Sequence, residues 1–241
     1  DSDWTADGYS QDAMVADLEA LIVQLGHPRP VLVGASMGGG TSLVAVGEDR
    51  VDATALELVD IAPRIEPAGV QNIQAFMSLK PGGFESLDEV ARAIASYQPH
   101  RKTPASLAGL AKNVRLGTDG KFHWHWDPRF LEASRSLDLR QARLEECGRR
   151  LTLPTLLVRG GLSDVLTEHG AEEFLRLAPH SEYVNVEGAA HMVAGDRNDK
   201  FGRAVVDFLA RAVPVGRPPV QPSHQQRPKH QDATHDLSDI P

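Results

Sequence analysis

The 241 residues carry 33 acidic side chains against 25 Lys and Arg, a formal charge of -8, and 41% hydrophobic residues. This is the composition of a globular chain long enough to bury one full core, and the negative balance argues against nucleic acid or an anionic membrane as the main partner. Cys147 is the only cysteine, so no intramolecular disulfide can form, and no stretch approaches the ~20 apolar residues of a membrane span; the cytoplasm is the expected setting.

Taken in chain order, residues 10–26 predict a helix, with Ala13, Val15, Leu18, Leu21, Ile22 and Leu25 at helical spacing and Gly26 as its stop. Val31, Leu32 and Val33 form a short apolar run, the pattern of a strand buried on both faces. It enters the segment 34–38, GASMG, after which residues 41–46 predict a helix. Further strands are expected at 55–61, 155–158 and 183–186, with helices at 167–177 and 201–212. Strands and helices alternating in this order predict an α/β fold with a doubly wound, mostly parallel sheet. Between Pro63 and Pro154 the pattern changes to helical stretches such as 87–97 and 130–147 without a buried strand. That length exceeds an ordinary strand-to-helix connection. The expected organisation is therefore a core of residues 1–63 and 151–213, an inserted helical cap over 64–150, and a Pro-, Gln- and His-rich disordered tail over 214–241.

The chemistry centres on Gly34-x-Ser36-x-Gly38. A serine at the tip of a strand-to-helix turn needs a strained backbone to lift its hydroxyl clear of the sheet, and small flanking residues leave room for that turn. The helix that follows aims its N-terminus at the same point, so the Met37 amide is a candidate oxyanion-hole donor. A serine hydroxyl is a weak nucleophile without a neighbouring base. Of the ten histidines, His191 is the one that lies just past the last strand and before the closing helix. The base in turn needs a carboxylate to fix its tautomer. Asp164, in the loop after the strand at 155–158, gives the chain order Ser, Asp, His. Asp60, at the end of the preceding strand, is the alternative acid; Asp164 is preferred.

Three segments, VLVGASMGG at 31–39, LLVRGGLSD at 156–164 and VEGAAH at 186–191, resemble the elbow, acid and histidine segments of the α/β-hydrolase fold family. Within it, the capped serine esterases and cofactor-free haloperoxidase-like hydrolases are the most similar subgroup. The resemblance spans about residues 1–213. It implies Ser36 as nucleophile, His191 as general base, Asp164 as its partner, the Met37 amide in the oxyanion hole, and no metal or organic cofactor. Because Ser and not Asp occupies the elbow, it implies acyl transfer on an ester or related small-molecule substrate. A perhydrolase, haloperoxidase or carbon–carbon bond hydrolase would use the same triad, and a non-catalytic binding protein is the alternative from another class. Family members also carry several strands and a His-Gly oxyanion loop ahead of the point where Asp1-Ser2-Asp3-Trp4 begins. The expectation is thus a fold whose N-terminal strands are missing.

In the insert, Trp124 and Trp126 alternate with His123 and His125. The tryptophans are read first as packing and second as candidate lining of an acyl or alcohol pocket. The two histidines lack a third ligand for a metal. Phe76, Met77 and Cys147 are read as cap packing.

Overall fold

The computed structural model describes residues 3–5, 9–101, 107–132 and 137–213. The expected tail at 214–241 lies outside the described residues. Helix α1 (Gln11–Leu25) opens on Ser10, whose hydroxyl accepts from the Ala13 amide, and closes on Gly26 at φ 69°. It leads through β1 (Val31–Ala35), α2 (Met37–Gly47) and β2 (Ala55–Val59). Next come α3 (Pro67–Met77), α4 (Leu87–Tyr97), a 3-10 turn (Leu107–Asn113), β3 (Val114–Leu116), β4 (Phe122–Trp124), α5 (Arg129–Glu132) and α6 (Leu137–Arg149). The chain returns to the sheet with β5 (Thr155–Gly160), α7 (Glu168–Leu177) and β6 (Glu182–Val186), and the described residues close with α8 (Val193–Asp196) and α9 (Asn198–Ala212).

The sheet is fully parallel in the order β1-β2-β5-β6. All four expected strands are present, and helices lie on both faces as a doubly wound sheet requires. One apolar layer joins Leu56, Leu58 and Leu157 to Val15, Leu43 and Val44 of α1 and α2. The other joins Val158, Val186 and Phe208, with α9 as its cover. Every residue of the central strands β2 and β5 is buried. β1 departs from its expected double burial: among the described residues it lies at one edge of the sheet, and Val33 stands 49% exposed. On α1, Val15, Leu18 and Ile22 pack into the core, whereas Leu21 and Leu25 face outward.

The insert differs from its expected all-helical texture. A small antiparallel hairpin pairs Val114 with Trp124 and Leu116 with Phe122, and it packs with Phe84 and Val90 in a separate cluster. Of the helix expected at 130–147, the described residues form α5 and α6, and residues 133–136 lie outside the described residues. Leu144 and Cys147 of α6 are buried in the same layer as Leu43 and Val44. Cys147 is thus a core residue and not a cap residue, because α6 runs back along α2 to re-enter the sheet.

Candidate active site

The elbow is built by two glycines, one on the strand and one on the helix. A Cβ on Gly34 would lie 2.5 Å from the Gly39 Cα, and one on Gly39 would lie 2.4 Å from the Ile61 side chain and 2.6 Å from the Gly34 carbonyl oxygen. Strand and helix therefore touch backbone to backbone, and the turn between them is forced to be sharp. Gly38, the second glycine of the sequence motif, has open space around it; the packing glycine is its neighbour. Ser36 at the apex sits at φ 49°, ψ -115°, a conformation that non-glycine residues adopt only where the surroundings impose it. Its amide donates to the Val59 carbonyl at 3.0 Å, which continues the β1–β2 ladder one residue further. The Met37 amide occupies the first position of α2, where helix N–H groups have no partner within the helix.

β2 places the second group. Its last residue, Val59, pairs with Ala35 on one side and Val158 on the other. Asp60 follows at φ 51° and is fully buried. Its Oδ1 accepts from the Gly160 amide at 2.8 Å, and its Oδ2 accepts from the Ser163 hydroxyl at 2.5 Å. Ser163 has little freedom over that proton, because its own oxygen already accepts from the Val165 and Leu166 amides at 3.1 and 3.2 Å. Sequence reasoning missed Ser163; a small polar residue just before an exposed aspartate was its only signal.

The loop after β6 supplies the third group. It turns at Gly188, φ 76°, and is tied to the loop after β5 by the Leu162 amide donating to Ala189 at 2.8 Å. The His191 side chain is 9% exposed. Its Nε2 lies 3.0 Å from the Ser36 hydroxyl and its Nδ1 2.7 Å from Asp60 Oδ2. With Nδ1 donating to the carboxylate, Nε2 is left as an acceptor facing the serine.

Asp164, the preferred acid of the sequence reading, does not meet His191. The turn closed by the Ser163 amide on Gly160 points Ser163 inward and leaves Asp164 exposed. Its carboxylate instead accepts from Asn72 of α3 at 2.9 Å, and its charge adds to burial in raising the Tyr97 hydroxyl above its usual pKa. The carboxylate at the imidazole is the alternative, Asp60.

Trp124 and Trp126 stack on each other at 4.6 Å, and Phe76 links them to Tyr97. Their indole N–H groups donate to the Leu79 and Met77 carbonyls at the end of α3. Both are half-buried, and both pack the insert together. His123 pairs with Asp119 at 2.9 Å, and among the described residues no group of three or more His, Cys, Asp or Glu side chains could hold a metal ion. No helix among the described residues is long and apolar enough to cross a membrane.

A sequence model of the Alpha/beta hydrolase family matches residues 1–204. The chain is 30% identical over 207 residues to the 3-hydroxybutyrate-oligomer hydrolase of Cupriavidus necator, covering 79% of this chain and 69% of that protein. It is 28% identical over 212 residues to the sn-1-specific diacylglycerol lipase ABHD11 of Mus musculus, covering 83% of this chain and 66% of that protein. The chain thus spans about two thirds of the length of these relatives. Among solved structures it resembles E-2-(acetamidomethylene)succinate hydrolase with a TM-score of 0.76 at 23% identity, covering 86% of this chain and 76% of that one. The Mycobacterium tuberculosis esterase Rv0045c gives a TM-score of 0.68 at 25% identity, covering 86% and 72%. A strained serine between a parallel strand and its helix, a histidine after the last strand and a family match over most of the sequence agree: the chain belongs to the alpha/beta hydrolase family.

Proposed function

We propose that this chain hydrolyses an ester or related small acyl substrate through an acyl-enzyme, with Ser36 as nucleophile, His191 as general base and then acid, and Asp60 as the carboxylate that orients the imidazole. The observation that carries this reading is the two-bond chain from Ser36 Oγ through His191 to Asp60, 3.0 and 2.7 Å long. Relatives named as an oligoester hydrolase, a diacylglycerol lipase and an esterase support the substrate class.

In the first step His191 Nε2 takes the hydroxyl proton as Ser36 Oγ attacks the acyl carbon. The oxyanion that develops faces the Met37 amide at the start of α2. When the tetrahedral species collapses, the same proton passes from His191 to the leaving alcohol. Water then repeats the sequence on the acyl-enzyme and frees the acid. Asp60 keeps its charge throughout and stabilises the imidazolium. We read residues 64–150 as the part that shapes the substrate pocket, with α3, tethered through Asn72 to Asp164, as its nearest wall.

Labelling by a fluorophosphonate probe, with turnover of p-nitrophenyl butyrate, tests the reading on wild type and Ser36→Ala. Labelling and turnover confined to wild type are expected. Equal labelling of both proteins, or of neither, would overturn it. A peroxide or diketone substrate in the same panel separates ester hydrolysis from perhydrolysis and carbon–carbon cleavage.

A further inference from the structure

The backbone on each side of His191 is held by one ion pair. The Asp196 side chain is 1% exposed. Its Oδ2 accepts from the amide of Ala190, the residue before the histidine, at 2.8 Å. Its Oδ1 accepts from Arg101 Nε, and the same guanidinium reaches the carbonyl of Met192, the residue after the histidine, at 3.5 Å. His100 adds a third neighbour, with Nε2 3.1 Å from Asp196 Oδ2. Gly195 makes room for this arrangement: a Cβ there would lie 2.5 Å from Arg101 Nη2.

Burial alone would raise the Asp196 carboxyl, but the hydrogen bonds from Arg101, the Ala190 amide and His100 outweigh it and hold the group below the usual carboxylate range. A charge this buried is retained only where its partners are fixed. The partners come from different parts of the chain. Ala190 and Asp196 belong to the histidine loop and α8, whereas His100 and Arg101 follow α4 in the insert. That same α4 ends in Tyr97, which stacks on Phe76 at 4.3 Å in the aromatic cluster.

We propose that Asp196 and Arg101 are positioning residues: the pair clamps the backbone on both sides of His191 and couples its imidazole to the segment that follows α4. The proposal rests on the reading of His191 as general base. Neither side chain touches the reacting atoms. They act by fixing where Nε2 stands relative to Ser36, a distance on which the proton transfer depends steeply.

The test is a double-mutant cycle on the full chain, with Arg101→Gln, Asp196→Asn and the double variant assayed on p-nitrophenyl butyrate. Each single change is expected to lower kcat by roughly 10- to 100-fold, with KM moving less than about threefold, because substrate contacts remain. The double variant should be no slower than Asp196→Asn alone, since both changes break one clamp. Hydrogen exchange at the Ala190 amide should accelerate in every variant, while the β2 and β5 amides stay protected. Losses that multiply, a kcat that does not move, or unchanged exchange at Ala190 would overturn the proposal. Should Asp196→Asn fail to fold, Arg101→Lys replaces it, and an intermediate kcat with an intermediate exchange rate is expected. The exchange measurement needs no turnover. An inactive wild type with an intact clamp would therefore count against the hydrolase reading alone.

Discussion

His191 Nδ1 lies 2.7 Å from Asp60 Oδ2 across 131 positions of sequence. Both carboxylate oxygens of Asp60 are engaged by fixed donors, the Gly160 amide on one and the Ser163 hydroxyl on the other. The imidazole thus docks against a carboxylate that cannot rotate away. Ser163→Ala would remove one of these donors together with the acceptor of the Val165 and Leu166 amides. A fall in kcat of about 10-fold is expected, with Ser163→Thr retaining more activity than Ser163→Ala, measured as p-nitrophenyl butyrate turnover.

The elbow glycines should separate sharply in their effect on stability. A Cβ on Gly34 meets the backbone of α2 at 2.5 Å, so Gly34→Ala should cost more than about 2 kcal/mol in denaturant unfolding. Gly38 is exposed and has open space around it. Gly38→Ala should change stability by less than about 1 kcal/mol, because alanine suits the first turn of a helix.

Glu57 gives the fold a pH dependence of definite sign. It lies between Ala55 and Val59 on the central strand, is fully buried, and neither carboxylate oxygen has a partner among the described residues. Burial raises its pKa from 4.5 to about 7. The folded protein therefore holds this proton more tightly than the unfolded chain does. The resulting stabilisation is fully present below about pH 4.5 and is lost as pH rises through about 7. Glu57→Gln keeps a neutral side chain at all pH values, so its unfolding free energy relative to wild type should climb by roughly 1–3 kcal/mol between about pH 5 and pH 8. Urea unfolding at several pH values checks this, and a flat difference would contradict it.

Cys147 should be inert in the native state. Its thiol is buried, and burial raises its pKa to about 11, so very little thiolate exists near neutral pH. Reaction with a soluble disulfide reagent is expected to follow unfolding, with one thiol appearing per chain only after denaturant is added.

The positions of Ser36 and His191 were legible in the sequence because each depends on local pattern. An apolar strand followed by Gly34-x-Ser36 dictates the turn on its own, and His191 is marked by its place between the last strand and the last helix. The carboxylate beside the imidazole is different. Asp60 and Asp164 each follow a buried strand, and what separates them is which carboxylate turns inward. Asp60 does so through a positive φ, and Ser163 takes the inner position of the other loop. Neither torsion nor turn direction is written in residue type alone. The same limit applies to the insert. The three-residue strands β3 and β4 lack any alternation long enough to read, and the return of α6 to the core depends on where Leu144 and Cys147 land against α2.

If Ser36, His191 and Asp60 form one proton relay, Asp60→Asn and Asp164→Asn must differ sharply in activity. Both variants would be compared with wild type for kcat/KM on p-nitrophenyl butyrate and for the rate of fluorophosphonate labelling. A loss of roughly 10³- to 10⁴-fold is expected for Asp60→Asn, since the imidazole loses its orienting charge, and a change within about threefold for Asp164→Asn. A large loss at Asp164 with near-normal activity at Asp60 would contradict it.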